Sequence, residues 1–260
     1  MDQIKPVSTP LGQHFKLSTT QAPQTESEME FMHQIPYASI VGSVMYATVC
    51  TRPDLIYAVS VVSRFMSNPV KAHWQAIKWL LRYISGTTVL GLKYGNNVKE
   101  GCELEGFVDA DYAGSVDTRK SLTGYVFTAF GGAISWKSNL QSVVALSTTE
   151  VEYIALTEAI KEAIWLNGIS HELGIFKGNI TIHCDNQSSI HLAKNQVFHE
   201  RSKHIDVRLH FVRDVIESRE VRVEKIPKEE NPSDMMTKSL PLAKFKHCLN
   251  LINMKTVGVL

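Results

Sequence analysis

From Leu104 to Asp234 the hydrophobic pattern changes period in a fixed order, and that order constrains the fold more than any other feature of the chain. Leu104 to Tyr112 alternates apolar and polar residues, as a half-buried strand does. Leu122 to Phe130 and Ala133 to Ser138 repeat the pattern on either side of Gly131-Gly132, which predicts a hairpin and three antiparallel strands in all. A long helix starts after Ser147, where Ser147-Thr-Thr-Glu150 predicts a capping box with Ser as N-cap and Glu at N3. Ile180 to Cys184 reads as a short strand, His204 to Ser218 as a helix and Val221 to Ile226 as a strand. Asn231-Pro232 opens a short helix by the cap-plus-proline rule. The succession βββ, α, β, α, α, β, α is that of an α/β layer fold.

The first hundred residues differ in texture. Residues 1–35 are rich in Ser, Thr, Gln and Pro and read as an extended or disordered lead-in. Tyr37 to Val49 reads as a buried helix, and Arg52-Pro53 begins a second that runs to Met66. A third has Asn68 as N-cap, Pro69 in the first turn and Gly86 as its stop. Val70, Trp74, Ile77, Leu81 and Ile84 give it an apolar stripe, and Lys71, Lys78 and Arg82 a basic one. No acid stands between Asp54 and Glu100, so this basic helix is a candidate phosphate-facing surface. Gly95-Asn96-Asn97 marks a turn, and a module boundary is expected near residue 100. Residues 241–260 form a tail that Phe245, Leu249 and Ile252 could dock as a helix.

Four acids occupy positions that solvation alone does not explain. Asp109 lies inside the apolar strand Phe107-Val-Asp-Ala-Asp-Tyr112, where aspartate is disfavoured. Glu152 stands on the helix face that continues through Ala155, Leu156, Ala159, Ala163 and Leu166. Asp185 ends a strand, a common place for ligand-binding acids in α/β sheets. Asp234 falls at N3 of the short helix. Clustered carboxylates repel unless cations neutralise them, and oxygen ligands suit Mg²⁺ or Mn²⁺. Two such ions are a device for phosphodiester chemistry.

Several runs carry a family resemblance. They are Val41-Gly-Ser-Val-Met-Tyr46, Thr51-Arg-Pro-Asp54, His73-Trp74, Leu81-Arg-Tyr83, Val108-Asp-Ala-Asp-Tyr-Ala-Gly114, Ala145-Leu-Ser-Thr-Thr-Glu-Val-Glu-Tyr153, Cys184-Asp-Asn186, Lys203-His-Ile205 and Asn231-Pro-Ser-Asp234. From about Tyr37 onward the chain resembles the C-terminal part of the Pol polyprotein of copia-type LTR retrotransposons. The resemblance implies a helical reverse transcriptase thumb or connection-like module over residues 36–100. It implies an RNase H-like domain over 101–240, a mixed five-stranded sheet flanked by helices. The family's catalytic, metal-binding quartet maps onto Asp109, Glu152, Asp185 and Asp234, with two Mg²⁺ ions, or Mn²⁺, as cofactors. The implied reaction is hydrolysis of the RNA strand of an RNA–DNA hybrid. Gln187 resembles a hybrid-contacting position, and Arg201 and Lys203 join Lys71, Lys78 and Arg82 as expected nucleic-acid contacts. The implied partners are the hybrid and the remainder of Pol, in a cytoplasmic particle or the nucleus. The alternative is a catalytically silent nucleic-acid-binding fragment. The Tyr-x-Asp-Asp centre of the polymerase is absent, so the chain is not expected to polymerise DNA. The loop Pro227-Lys-Glu-Glu-Asn-Pro232 lacks the histidine that cellular RNases H carry before the last acid, which implies slow turnover.

Composition excludes other classes. With 27 Lys and Arg against 26 Asp and Glu, the net charge of +1 rules out a uniformly basic coat. No apolar run approaches the roughly 20 residues of a membrane span, and the first 25 residues lack the apolar core of a secretion signal. The four cysteines form no C-x-x-C pair, against a zinc ribbon.

Overall fold

The structure is a computed structural model and describes residues 5–21, 25–95, 104–175, 178–194 and 206–256. Residues 5–21 run mostly without regular structure and bury Leu11 and Leu17. α1 (Glu26–His33) follows, where the sequence gives no helical apolar period. Its cause is local: Thr25 accepts from the Glu28 N–H, and Glu26 and Glu28 suit the positive helix end. α2 (Tyr37–Cys50) lies as expected. The expected helix over 53–66 is split into α3 (Ile56–Val62) between 3-10 turns at Pro53–Leu55 and Ser63–Phe65.

α4 (Lys71–Ser85) starts two residues late. Val70 rather than Asn68 takes the N-cap position, and His73 Nδ1 accepts from the Val70 N–H at 3.1 Å. Its buried face is His73, Ala76, Ile77, Leu80 and Tyr83, so the period holds while the deepest stripe is rotated from the expected one. The Thr51-Arg-Pro-Asp54 run is structural. Arg52 grips Asp54 through Nε (2.9 Å) and Nη2 (2.8 Å), and Tyr83 donates to Asp54 Oδ2 at 2.8 Å. Nη2 also reaches Thr87 Oγ1, which ties the α2–α3 corner to the end of α4.

After β1 (Leu90–Leu92), the alternating stretches become β2 (Glu105–Ala110), β3 (Leu122–Ala129) and β4 (Gly132–Leu140). Then come α5 (Thr148–Glu172), β5 (Ile180–Cys184), α6 (Gln187–Lys194), α7 (Asp206–Glu217), β6 (Val221–Lys225) and α8 (Asp234–Thr237). α9 (Leu242–Leu251) and β7 (Met254–Thr256) close the described chain. The main sheet has the order β4-β3-β2-β5-β6. β2–β3 and β3–β4 are antiparallel, while β2–β5 and β5–β6 are parallel.

Each face of the sheet buries its own core. On one, Val108, Tyr125 and Phe127 pack with Ile154, Leu156 and Ile160 of α5 and Val212 of α7. On the other, Val126 and Ala133 join Val41, Val59, Ile77 and Leu80 of the helical part, Met235 and Met236 of α8, and Phe245 and Cys248 of α9. Phe245, Leu249 and Ile252 are all buried there, so the tail is a docked helix. β7 returns to pair antiparallel with β1. No helix among the described residues is long and apolar enough to cross a membrane.

Candidate active site

The parallel pairing of β2 with β5 sets Val108 opposite Cys184, so Asp109 and the Asp185 that follows β5 come side by side at one end of the sheet. α8 supplies the third acid, and Gly124 admits it. Gly124 faces Asp109 across the β2–β3 ladder, and a Cβ there would lie 2.7 Å from Met236 Cβ and from Thr237 Cγ2. Only glycine lets α8 press this closely on β3. Asn231 is buried and donates to the Val108 carbonyl at 2.9 Å, while its Oδ1 accepts from Ser233. That side chain therefore anchors the loop to β2 instead of capping a helix, and α8 begins at Asp234 rather than placing it at N3.

Glu152 arrives from the first turns of α5. Ser147 Oγ accepts from the Glu150 N–H at 3.2 Å, as the capping box requires. The return bond differs, because Glu150 Oε2 accepts from Leu146 N and not from the cap residue. This frees the next turn to lay Glu152 against the sheet, 8% exposed.

The four acids converge. Oxygens of Asp109, Asp185 and Asp234 lie within 4.8 Å of one another, and so do ligand atoms of Glu152, Cys184 and Asp185. Burial raises the Glu152 carboxyl pKa, and the charges of Asp109 and Asp185 raise it further. Burial also raises that of Asp109, opposed by Lys238 and reinforced by Asp234. Glu152 Oε2 is buried and makes no hydrogen bond among the described residues. Such an orphaned oxygen among carboxylates fits a hard divalent cation. Burial pushes the Cys184 thiol up to about 12, so in the metal-free chain it stands as a neutral thiol beside the carboxylates.

Two lysines complete the cluster and were not signalled as site residues by the sequence. Lys238 Nζ lies 3.1 Å from Asp109 and 2.7 Å from Asp234. Lys244 Nζ lies 3.3 Å from Asp234. Thr237 Oγ1 donates to Asp109 Oδ2. Lys238 stands four residues after Asp234, a spacing at which opposite charges pair on a helix, and this was the available signal. Lys244 sits on a different helix and had none.

The remaining expected site residues lie elsewhere. Gln187 is the exposed first residue of α6, at the rim beside Asp185. Lys71 pairs with Glu28 at 3.4 Å, and Lys78 lies over the Trp74 ring. Arg82 donates to the Lys5 carbonyl and covers Trp79, so part of the basic stripe is engaged by the lead-in. Arg201 and Lys203 fall outside the described residues. Asp111, the neighbour on the strand, accepts from the Leu122 N–H and serves the β2–β3 connection.

No protein-family model matches the chain. Among curated proteins, it is 53% identical over 254 residues to the retrovirus-related Pol polyprotein from transposon TNT 1-94 of Nicotiana tabacum, covering 98% of this chain and 19% of that protein. It is 36% identical to the corresponding polyprotein from transposon RE1 of Arabidopsis thaliana, over 99% of this chain and 17% of that one. The secreted RxLR effector protein 161 of Plasmopara viticola is 50% identical over 136 residues, 52% of this chain and 94% of the effector. The chain thus spans about a fifth of the transposon polyproteins it matches. A foamy viral protease-reverse transcriptase in complex with dsDNA is similar with a TM-score of 0.50 at 13% identity, over 79% of this chain and 42% of that one. An RNase H1 isolated from compost by metagenomics matches 52% of this chain and 92% of its own at a TM-score of 0.40 and 16% identity. The mixed sheet, with its strand order and flanking helices, is an RNase H-like fold.

Proposed function

The chain belongs to the retrovirus-related Pol polyproteins of copia-type retrotransposons, and from that membership we propose that it hydrolyses the RNA strand of RNA–DNA hybrids. The observation that carries the proposal is the convergence of Asp109, Glu152, Asp185 and Asp234 from four separate elements, with a buried Glu152 oxygen lacking a partner. These four would hold two divalent cations, Mg²⁺ or Mn²⁺, which when bound supply an acidified water and stabilise charge on the leaving 3′ oxygen.

The chain's own groups orient the acids. Thr237 fixes one oxygen of Asp109, and Asn231 secures the α8 approach to β2. Gln187 stands at the rim where a hybrid strand would pass. Lys71, Lys78, Arg82, Arg201 and Lys203 remain proposed backbone contacts, with Lys71 and Lys78 the more available of the described three. Discrimination of RNA from DNA would rest on 2′-hydroxyl contacts and groove shape. The remainder of the Pol polyprotein, in a cytoplasmic particle or the nucleus, is the proposed setting.

The test is cleavage of a labelled RNA–DNA hybrid by the purified chain in Mg²⁺ and in Mn²⁺, with duplex DNA as control. Hybrid-specific cutting that Asp185→Asn abolishes without unfolding is expected. A folded chain that binds hybrid yet never cuts it would leave the silent binding fragment as the better description.

A further inference from the structure

One half of the carboxylate cluster holds an ammonium at ion-pair distance; at the other, among the described residues, Lys225 Nζ reaches only the Asp185 carbonyl. Lys238 Nζ contacts Asp109 Oδ2 at 3.1 Å and Asp234 Oδ1 at 2.7 Å. Its side chain is 34% exposed, so it reaches the two buried acids from the solvent side. Lys244 also touches Asp234 but is pinned elsewhere, donating to the Lys228 carbonyl at 2.8 Å and the Glu229 carbonyl at 2.5 Å. The ion pairs of Lys238 both go to the cluster. On the opposite side, Glu152 Oε2 has no partner among the described residues.

A Mg²⁺-sized ion sits about 2.0–2.1 Å from its oxygen ligands. Bound by Asp109 and Asp234, it would be only a few ångströms from the Lys238 ammonium, which lies at ion-pair distance from both carboxylates. A divalent ion on these carboxylates meets the ammonium as a like charge at close range. We infer that Lys238 is a built-in competitor for the divalent ion at Asp109 and Asp234. Its ammonium holds those two acids together in the metal-free chain and swings out to solvent when the ion binds. The inference rests on the two-ion reading proposed above. It makes the two ion positions unequal. An ion taken up by Glu152 and Asp185 breaks no ion pair among the described residues, whereas one at Asp109 and Asp234 does and so binds second and more weakly. Lys238 acts here as a positioning residue, since it touches the ligands and not the reacting atoms.

The test is Mn²⁺ titration of the intact chain, read by calorimetry and by the spin-resonance signal of free Mn²⁺, with Lys238→Met and Lys238→Arg in parallel. Wild type should show two sequential associations. In Lys238→Met the weaker one should tighten by about tenfold or more, because a like charge is gone. Lys238→Arg keeps the charge and can fork onto both carboxylates, so its weaker association should be no tighter than that of wild type. A simple packing role for the side chain would not separate Met from Arg in this way. If Lys238→Met fails to fold, tighter second binding in Lys238→Arg would still overturn the inference. Superimposable isotherms for all three chains overturn it as well. A chain that takes up no Mn²⁺ in any form overturns both the inference and the two-ion reading, whereas equal uptake by all three spares that reading.

Discussion

Glu152 is an expensive residue to bury. Its carboxyl is deep, beside two other acids, and one oxygen has no hydrogen bond among the described residues. A raised carboxyl pKa means that the folded chain keeps a proton that the unfolded chain releases, so ionising Glu152 weakens the metal-free fold. A divalent ion reverses this by favouring the charged form. Saturating Mg²⁺ at about 100 times its dissociation constant should stabilise wild type by about 2.7 kcal/mol. That corresponds to a rise of roughly 5–10 °C in melting temperature for a chain of this size. Glu152→Gln should melt higher than wild type without metal at pH 8 and gain little from Mg²⁺; calorimetric scans of both chains check this. The buried Arg52–Asp54 pair behaves in the opposite sense. Its side chains are 11% and 0% exposed, and Asp54→Ala would strand the guanidinium. A loss of about 3–5 kcal/mol is expected, measured by urea denaturation, with little change in metal uptake.

At the scale of elements, the segment 5–21 is a strap. The Trp79 indole N–H donates to the Thr9 carbonyl, and Ser239 Oγ donates to the Leu11 carbonyl, one residue beyond Lys238. At its far end Ser18 Oγ, Thr19 N–H and Thr19 Oγ1 all donate to Asp117 in the β2–β3 connection. The bond from Ser18, and then those from Thr19, lower the Asp117 pKa. A depressed carboxyl pKa adds stability that is present above the ordinary aspartate value near 3.9 and lost as pH falls through the lower folded value. Hydrogen exchange at 5–21 should therefore quicken only below about pH 4 in wild type. In Asp117→Ala it should already be fast at pH 7; equal protection in the two chains would dismiss the strap. This element was hidden in the sequence because Ser, Thr, Gln and Pro carry no apolar period, and its contacts join residues 70 to 228 positions apart. The strands and α5 were legible for the converse reason: their alternation and the Ser147 cap are local signals. So were the four acids, each conspicuous against an apolar strand or helix face. Lys244 was not, since only the docking of α9 brings it to Asp234.

On the scale of the whole molecule, the sheet is a middle layer. Its α5 face is covered by the helices that the sheet's own connections supply, while its other face is covered by α2 to α4 and α9. Val126, Met235 and Met236 are at most 2% exposed, and the cluster they belong to also includes side chains of α2, α3, α4 and α9, outside 101–240. Full burial of side chains this size contributes about 1.5–3 kcal/mol each. Three of them amount to roughly 5–9 kcal/mol, within the 5–15 kcal/mol that holds a typical domain together. Met235 and Met236 also flank the step from Asp234 to Lys238, so whatever loosens them loosens the acid cluster. The fragment 101–240, cut at the module edges that the sequence suggests, should therefore lack a cooperative unfolding transition, bind a hydrophobic dye and take up Mn²⁺ poorly. The 260-residue chain should unfold in one transition. If the fragment instead melts cooperatively and cleaves hybrid as fast as the full chain, the helical part and the tail are passengers. If it behaves as expected, they are the second wall of the candidate site, and the proposed reaction belongs to the assembled chain rather than to the sheet alone.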